Sequence, residues 1–285
     1  MRTRAPKEVG IRAVAVVTDS AASLPPGVAD QLGISIVPIH LRIGDREVPE
    51  QQGAEAFYEQ LRRGKERATT ATPSPGEFLE AFENARADGV VCVTIAGSVS
   101  GIHGSAAIAA DQAAMEVEVV DSGSASMAQG FVAMEAARAA SQGDDLGAAA
   151  ARARDVAGRC GLVAAIQTFE HLRRSGRVNR LVSYAGTMLD IKPVFRMRTG
   201  TIEAVARPRT WRRALERVLE EVRREVGDHP VHLAAVHADA EGDARDLLAR
   251  AAEGAEVVER HVAGFTPAMG AHTGPGVLGL AWFCD

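Results

Sequence analysis

The hydrophobic pattern divides the chain into two unlike halves. Up to about residue 158, short aliphatic and β-branched runs alternate with longer stretches whose apolar positions recur at helical spacing. Residues 13–18, 89–95 and 117–120 read as strands, and 34–43 reads as extended. Residues 25–32, 54–63, 75–87, 104–114 and a stretch from about 126 read as helices. Repeated strand-then-helix units imply right-handed crossovers and a mostly parallel sheet covered by helices on both faces. After two Ala-rich helices the rhythm changes. Residues 162–167 read as a strand, and 171–213 mix short helical and extended pieces. Thr210 is positioned to cap a long helix to about Val226, whose stripe includes Trp211, Leu215, Val218 and Val222. A strand at 231–237, a helix at 241–252, and strands at 256–262 and 277–283 close the chain. The pattern predicts an α/β protein: a doubly wound unit at 1–158 and a smaller α+β unit at 159–285.

Composition narrows the function more than the fold. A chain of 285 residues with 46% hydrophobic content buries a core without disulfides. Cys92, Cys160 and Cys284 are odd in number and far apart, which reads as reduced thiols. The basic start Met1-Arg-Thr-Arg is followed by too short an apolar run for a signal segment, and no window approaches a membrane span. A cytoplasmic protein is expected. The net charge of −5 and an aromatic content of 4% argue against a nucleic-acid partner.

Candidate chemistry gathers at the ends of the expected parallel strands, where open α/β sheets bind ligands. Thr18-Asp19-Ser20, Gly97-Ser98-Val99-Ser100-Gly101 and Asp121-Ser122-Gly123-Ser124 are hydroxyl-rich turns, and the loop 69–76 adds Thr70, Thr72 and Ser74. Such groups suit a carboxylate or phosphate. Each equally suits capping of the helix that follows it. Gly274, Gly276 and Gly279 fit a dinucleotide-like GxGxxG spacing, but six residues after Gly279 leave no room for the βαβ unit it needs. His272 beside them reads either as a donor to an anion or as a buried histidine satisfied by backbone. His229, His232 and His237 do not have metal-site spacing on a strand. No P-loop or GxSxG elbow is present. Charge is more segregated than the total suggests. Between His171 and Arg217, twelve Lys and Arg face only Asp190, Glu203 and Glu216. That block suits an anionic ligand or an acidic partner surface.

In order and spacing these motifs resemble the DegV family of bacterial fatty-acid-binding proteins, from about Val14 to Phe283. Thr18-Asp19-Ser20, Thr70-Ala71-Thr72-Pro73-Ser74, Ser98-Val99-Ser100-Gly101 and Asp121-Ser122 carry the resemblance in the first half. Leu172-Arg173-Arg174-Ser175-Gly176-Arg177, Ile191-Lys192-Pro193-Val194, Arg209 to Leu215, and His272 to Gly279 carry it in the second. The resemblance implies one long-chain fatty acid buried between two units, with no cofactor and no catalytic turnover. It implies a carboxylate held by Thr70, by a serine of the second turn, and by His272. That turn departs from the family pattern: Ala96 and Gly97 stand where two serines are expected, and Ile102 stands for a threonine. Ala71 likewise replaces a serine. Ser98 or the Gly97 backbone N–H is left to supply the missing contact, with Asp19, Ser20, Ser100 and Ser122 in support. The resemblance further implies an ATP-dependent fatty-acid kinase as partner, docking on Arg177 and Arg209. The acyl phosphate product would feed phospholipid synthesis, with transient contact at a membrane surface. A competing reading is an enzyme acting on a small phosphorylated or carboxylated metabolite, with Asp19 and Asp121 as acid/base or metal-binding groups and the basic segment holding substrate phosphate.

Overall fold

The computed structural model describes residues 12–49, 54–63, 67–175 and 191–285. Its first half is a four-stranded parallel sheet of β1 (Arg12–Asp19), β2 (Ile34–Val37), β6 (Ala87–Thr94) and β7 (Glu116–Asp121), in the order β2-β1-β6-β7. β1 and β6 sit in the middle, and their runs Val14–Val17 and Val90–Val93 are continuously buried, as a parallel strand covered on both faces requires. Helices α3 (Pro75–Asn84) and α4 (Ile102–Gln112) pack on each other and on this sheet. So do α5 (Met127–Ser141) and α6 (Leu146–Arg159). α1 (Val28–Leu32) links β1 to β2.

The extended segment 34–43 proves to be two strands in two sheets. Pro38 has no N–H to continue the ladder of β2, and the next amide, Ile39, donates to Ser20 Oγ at 3.0 Å. The chain then enters β3 (His40–Ile43), which pairs antiparallel with β4 (Arg46–Val48) and β5 (Ala68–Ala71). The expected loop at 69–76 therefore begins as a strand, with Thr70 opposite Leu41. α2 (Ala54–Arg63) lies between β4 and β5 in sequence.

The second half forms a six-stranded sheet from β8 (Gly161–Ala165), β9 (Val194–Arg198), β10 (Thr201–Ala206), β11 (Val231–His237), β12 (Val257–Gly264) and β13 (Leu278–Cys284). Their order is β10-β9-β8-β13-β11-β12. Only β11 and β12 are parallel, joined through α9 (Glu241–Ala252). α7 (Glu170–Arg174) follows β8, and α8 (Trp211–Val226) follows β10. Alternation along the strands divides the interior in two. Leu233, Ala235, Leu280 and Trp282 face a core shared with α8 and α9, whereas Ala234, Val236, Ala281 and Phe283 face the N-terminal helices. Gly161 is glycine because a Cβ there would meet the Trp282 ring at 2.5 Å. No helix among the described residues is long and apolar enough to cross a membrane.

Candidate functional site

The core shared with the N-terminal helices does not close completely. Between the strand ends of the N-terminal sheet and the inner face of β8, β9 and β10 lies a cleft of about 1230 Å3, its open mouth included. Of its described wall residues, seventeen are apolar, and the polar five are Thr70, Thr72, Ser100, His272 and Thr273. No Asp, Glu, Lys or Arg is among these wall residues. Such a wall can desolvate a long apolar group and has few partners to offer a highly charged one.

The polar side chains come from separate elements. Thr70 lies on β5, and His272 on the short helix α10 (Pro267–Thr273), 202 residues apart in sequence; Thr70 Oγ1 and His272 Nε2 are 2.7 Å apart. Pro267 opens α10 at its first position, where a missing N–H costs nothing. α10 is seated on Tyr58 of α2, whose buried hydroxyl donates to the Phe265 carbonyl at 3.2 Å. Gly270 makes that seat possible, since a Cβ would collide with the Tyr58 ring and hydroxyl. Gly270→Ala should therefore lower stability by about 1–3 kcal/mol and weaken whatever the Thr70–His272 pair holds. Thermal unfolding checks the first effect, and a smaller loss in a Tyr58→Ala background would confirm its cause.

The glycines of the GxGxxG spacing have structural reasons of their own. Gly274 and Gly276 adopt φ of +80° and +78°, with His171 and Gln167 packed where their Cβ atoms would be. A Cβ on Gly279 would lie 2.5 Å from the Val163 carbonyl oxygen. Burial pushes the pKa of His171 below its ordinary value.

The other strand-end residues brace the backbone. Asp19 is fully buried, and its carboxylate accepts from Ala21 N at 3.0 Å, Ile95 N at 2.8 Å and Gln129 Nε2 at 3.1 Å. Together with burial, the Asp19 charge holds the Cys92 thiol well above its usual pKa. Ser20 fixes Ile39, and Ser122 both donates to the Ser124 carbonyl and accepts from its N–H. Asp121 accepts from Gly123 N at 2.8 Å and Gly97 N at 3.1 Å. The Gly97 amide thus donates to Asp121, and neither Gly97 nor Ser98 is among the wall residues of the cleft. The hydroxyl that this turn contributes to the wall is that of Ser100, which also accepts from Ile102 N at 3.4 Å.

Arg209 is exposed on the loop before α8. Its neighbour Pro208 accepts from Lys192 N at 2.7 Å, and Lys192 Nζ donates to the Gln167 carbonyl at 2.9 Å, which links this basic loop to the end of the cleft near α10. Arg177 lies outside the described residues. Three arginines of the basic block pair with carboxylates beyond the counted segment. Arg196 and Arg198 pair with Glu225 at 2.7 Å each, and Arg217 pairs with Glu220 and Glu221 at 2.6 and 2.9 Å. Sequence reading missed the apolar wall from β9 and β10 and the Tyr58–Gly270 seat. Alternation at Phe195 and Met197 was the available signal for the wall.

The model of the DegV family, described as "Uncharacterised protein, DegV family", matches residues 13–285. A DegV domain-containing protein of Streptomyces coelicolor is 34% identical over 94% of this chain and 98% of its own length. One from Mycobacterium tuberculosis is 34% identical over 94% of this chain and 96% of its own. Among solved structures, a fatty-acid-binding DegV family protein from Thermus thermophilus superposes with a TM-score of 0.86 at 27% identity, over 96% of this chain and 100% of that one. DegV from Bacillus subtilis, described as a fatty acid binding protein, also gives 0.86 at 25% identity, with the same coverage. These descriptions name binding rather than catalysis. By sequence along nearly its whole length and by fold, this chain belongs to the DegV family.

Proposed function

We propose that this protein carries one long-chain fatty acid, with the tail in the apolar cleft and the carboxylate at Thr70 and His272. The observation that carries this reading is a wall with few polar side chains, two of which, from distant parts of the chain, meet at 2.7 Å. At ~0.8 kcal/mol per buried CH₂, a tail of about sixteen carbons gains on the order of 10 kcal/mol from such a wall. The head must keep its hydrogen bonds, because an unpaired carboxylate out of water is costly. Ser100, the hydroxyl of the same turn in the wall, supplies the contact that Gly97 or Ser98 was expected to make. Asp19, Ser20 and Ser122 act by holding the strand ends in place. Residues 1–158 and 159–285 serve as the two units that enclose the acid.

The carrier presents this carboxylate to an ATP-dependent kinase. The γ-phosphoryl group of ATP passes to a carboxylate oxygen, leaving ADP and an acyl phosphate on the carrier. Arg209, with Arg177, belongs to the docking surface for that kinase. Arg209→Glu should raise the kinase KM for the loaded carrier while leaving bound acid unchanged, since an exposed charge steers association. Lost acid with normal kinase coupling would contradict the docking role.

The competing metabolite-enzyme reading is the weaker one, since Asp19 is fully buried and braced by backbone amides, and Asp121 holds the Gly97 and Gly123 amides. The two readings separate in a titration of delipidated protein. Tight binding of palmitate- or oleate-like acids and none of short phosphorylated acids is expected. The reverse preference would overturn the carrier reading.

A further inference from the structure

Strand register sorts the floor of the cleft into rows. Leu162 lies opposite Met197, and Met197 opposite Ile202, so these three form one row across β8, β9 and β10. Ala164 and Phe195 form the next row toward the end of β8, and Ile166 follows. All six line the cleft. Val163 and Ala165, between them in sequence, face the other core, as a period of two demands.

The Thr70–His272 pair lies toward the Ile166 end. α10 runs into the turn at Gly274 and Gly276, which packs on His171 and Gln167, and Gln167 directly follows Ile166. Along the strand, Leu162 is then ~13 Å beyond Ile166 at ~3.3 Å per residue. A saturated chain advances ~1.25 Å per bond, from a bond near 1.52 Å and an angle near 111°. A tail running down the floor therefore reaches the Leu162 row about ten bonds after passing Ile166. It passes Phe195, with the small Ala164 beside it, and then meets a leucine, a methionine and an isoleucine side by side.

We propose that the Leu162–Met197–Ile202 row sets the length of tail the cleft accepts, and that Ala164 keeps the floor open ahead of it. This role rests on the carrier reading above. Ile202 is the member best suited to a test, because it is only partly buried and lies on the edge strand β10.

Delipidated wild type, Ile202→Ala, Met197→Ala, Ala164→Leu and Val163→Ala would each receive an equimolar mixture of saturated acids from about 12 to 20 carbons. The retained acids would be identified by mass spectrometry. Ile202→Ala and Met197→Ala should move the profile at least two carbons longer, about 10-fold in the ratio of long to short acid. Ala164→Leu should move it shorter. Val163→Ala, facing the other core, should lower thermal stability with no change of profile. Unchanged profiles in all three cleft variants, with wild type normally loaded, would overturn the row's role alone. A wild type that retains no acid would overturn the carrier reading and the row's role together.

Discussion

Replacing His272 with alanine is expected to raise the dissociation rate of a long-chain acid by about 10- to 100-fold, the loss of one hydrogen bond to a charged group. The reason lies in the cleft's composition. A carboxylate at the end of an apolar tail must find its partners among a handful of side chains, and Thr70 and His272 already sit within hydrogen-bond distance of each other. Removing the imidazole leaves the head under-satisfied where water is scarce, and the full desolvation cost falls on it. Thr70→Val, which removes a neutral hydroxyl, should cost less, about 5-fold. An alcohol of the same length provides the control. It has the same tail and no charge, so its dissociation from His272→Ala should rise far less than that of the acid. Equal acid dissociation from wild type and both variants, with equal kinase turnover, would show that the head is held elsewhere.

The second large effect is on stability. Glu259 of β12 joins the two halves of the molecule. It accepts a bidentate pair from Arg138 of α5 at 2.8 and 2.9 Å, a bond from His232 Nδ1 at 2.9 Å, and one from His261. Arg138 continues to Glu135 at 2.7 Å, and Glu135 to Arg152 of α6. The surroundings are largely buried, and the His232 ring stacks on Phe283 with centroids 4.0 Å apart. Burial alone would raise the pKa of Glu259, but the two histidines and Arg138 overcome it and hold the carboxyl far below its ordinary 4.5. Its contribution is therefore fully present above about pH 4.5 and is lost as pH falls. Glu259→Gln should lower stability by about 2–3 kcal/mol at neutral pH, because it leaves Arg138 poorly paired. It should also flatten the acid limb of the stability curve. Urea unfolding of both proteins from pH 7 down to about pH 2 measures this. Parallel curves would show that the network contributes nothing specific.

The parallel half of the fold was legible because its strands are continuous apolar runs separated by capped helices, such as Ser74 and Glu77 at the start of α3. The small antiparallel sheet was not. β4 has three residues and β5 four, and Ala68-Thr-Thr-Ala71 carries no strong strand signal. Thr70 was legible as a candidate through motif order, but its meeting with His272 depends on a seat, Tyr58 against Gly270, that no local pattern announces. The cleft floor was hidden for a different reason. Leu162 to Ala165 is apolar at every position, so periodicity does not tell which alternate residues face the ligand. The basic block looked cleaner in sequence than in space. Glu220, Glu221 and Glu225 lie just past its counted end and fold back onto Arg196, Arg198 and Arg217. Arg209, exposed on the small loop before α8, stays part of the candidate docking surface.

An acyl tail in the cleft, with its carboxylate at Thr70 and His272, would be carried through purification. The most direct test is mass spectrometry of a solvent extract of the purified, folded protein. About one long-chain fatty acid per chain is expected, with less acid recovered from His272→Ala prepared in parallel. A clean extract, followed by no binding of palmitate- or oleate-like acids to the protein, would contradict the carrier reading.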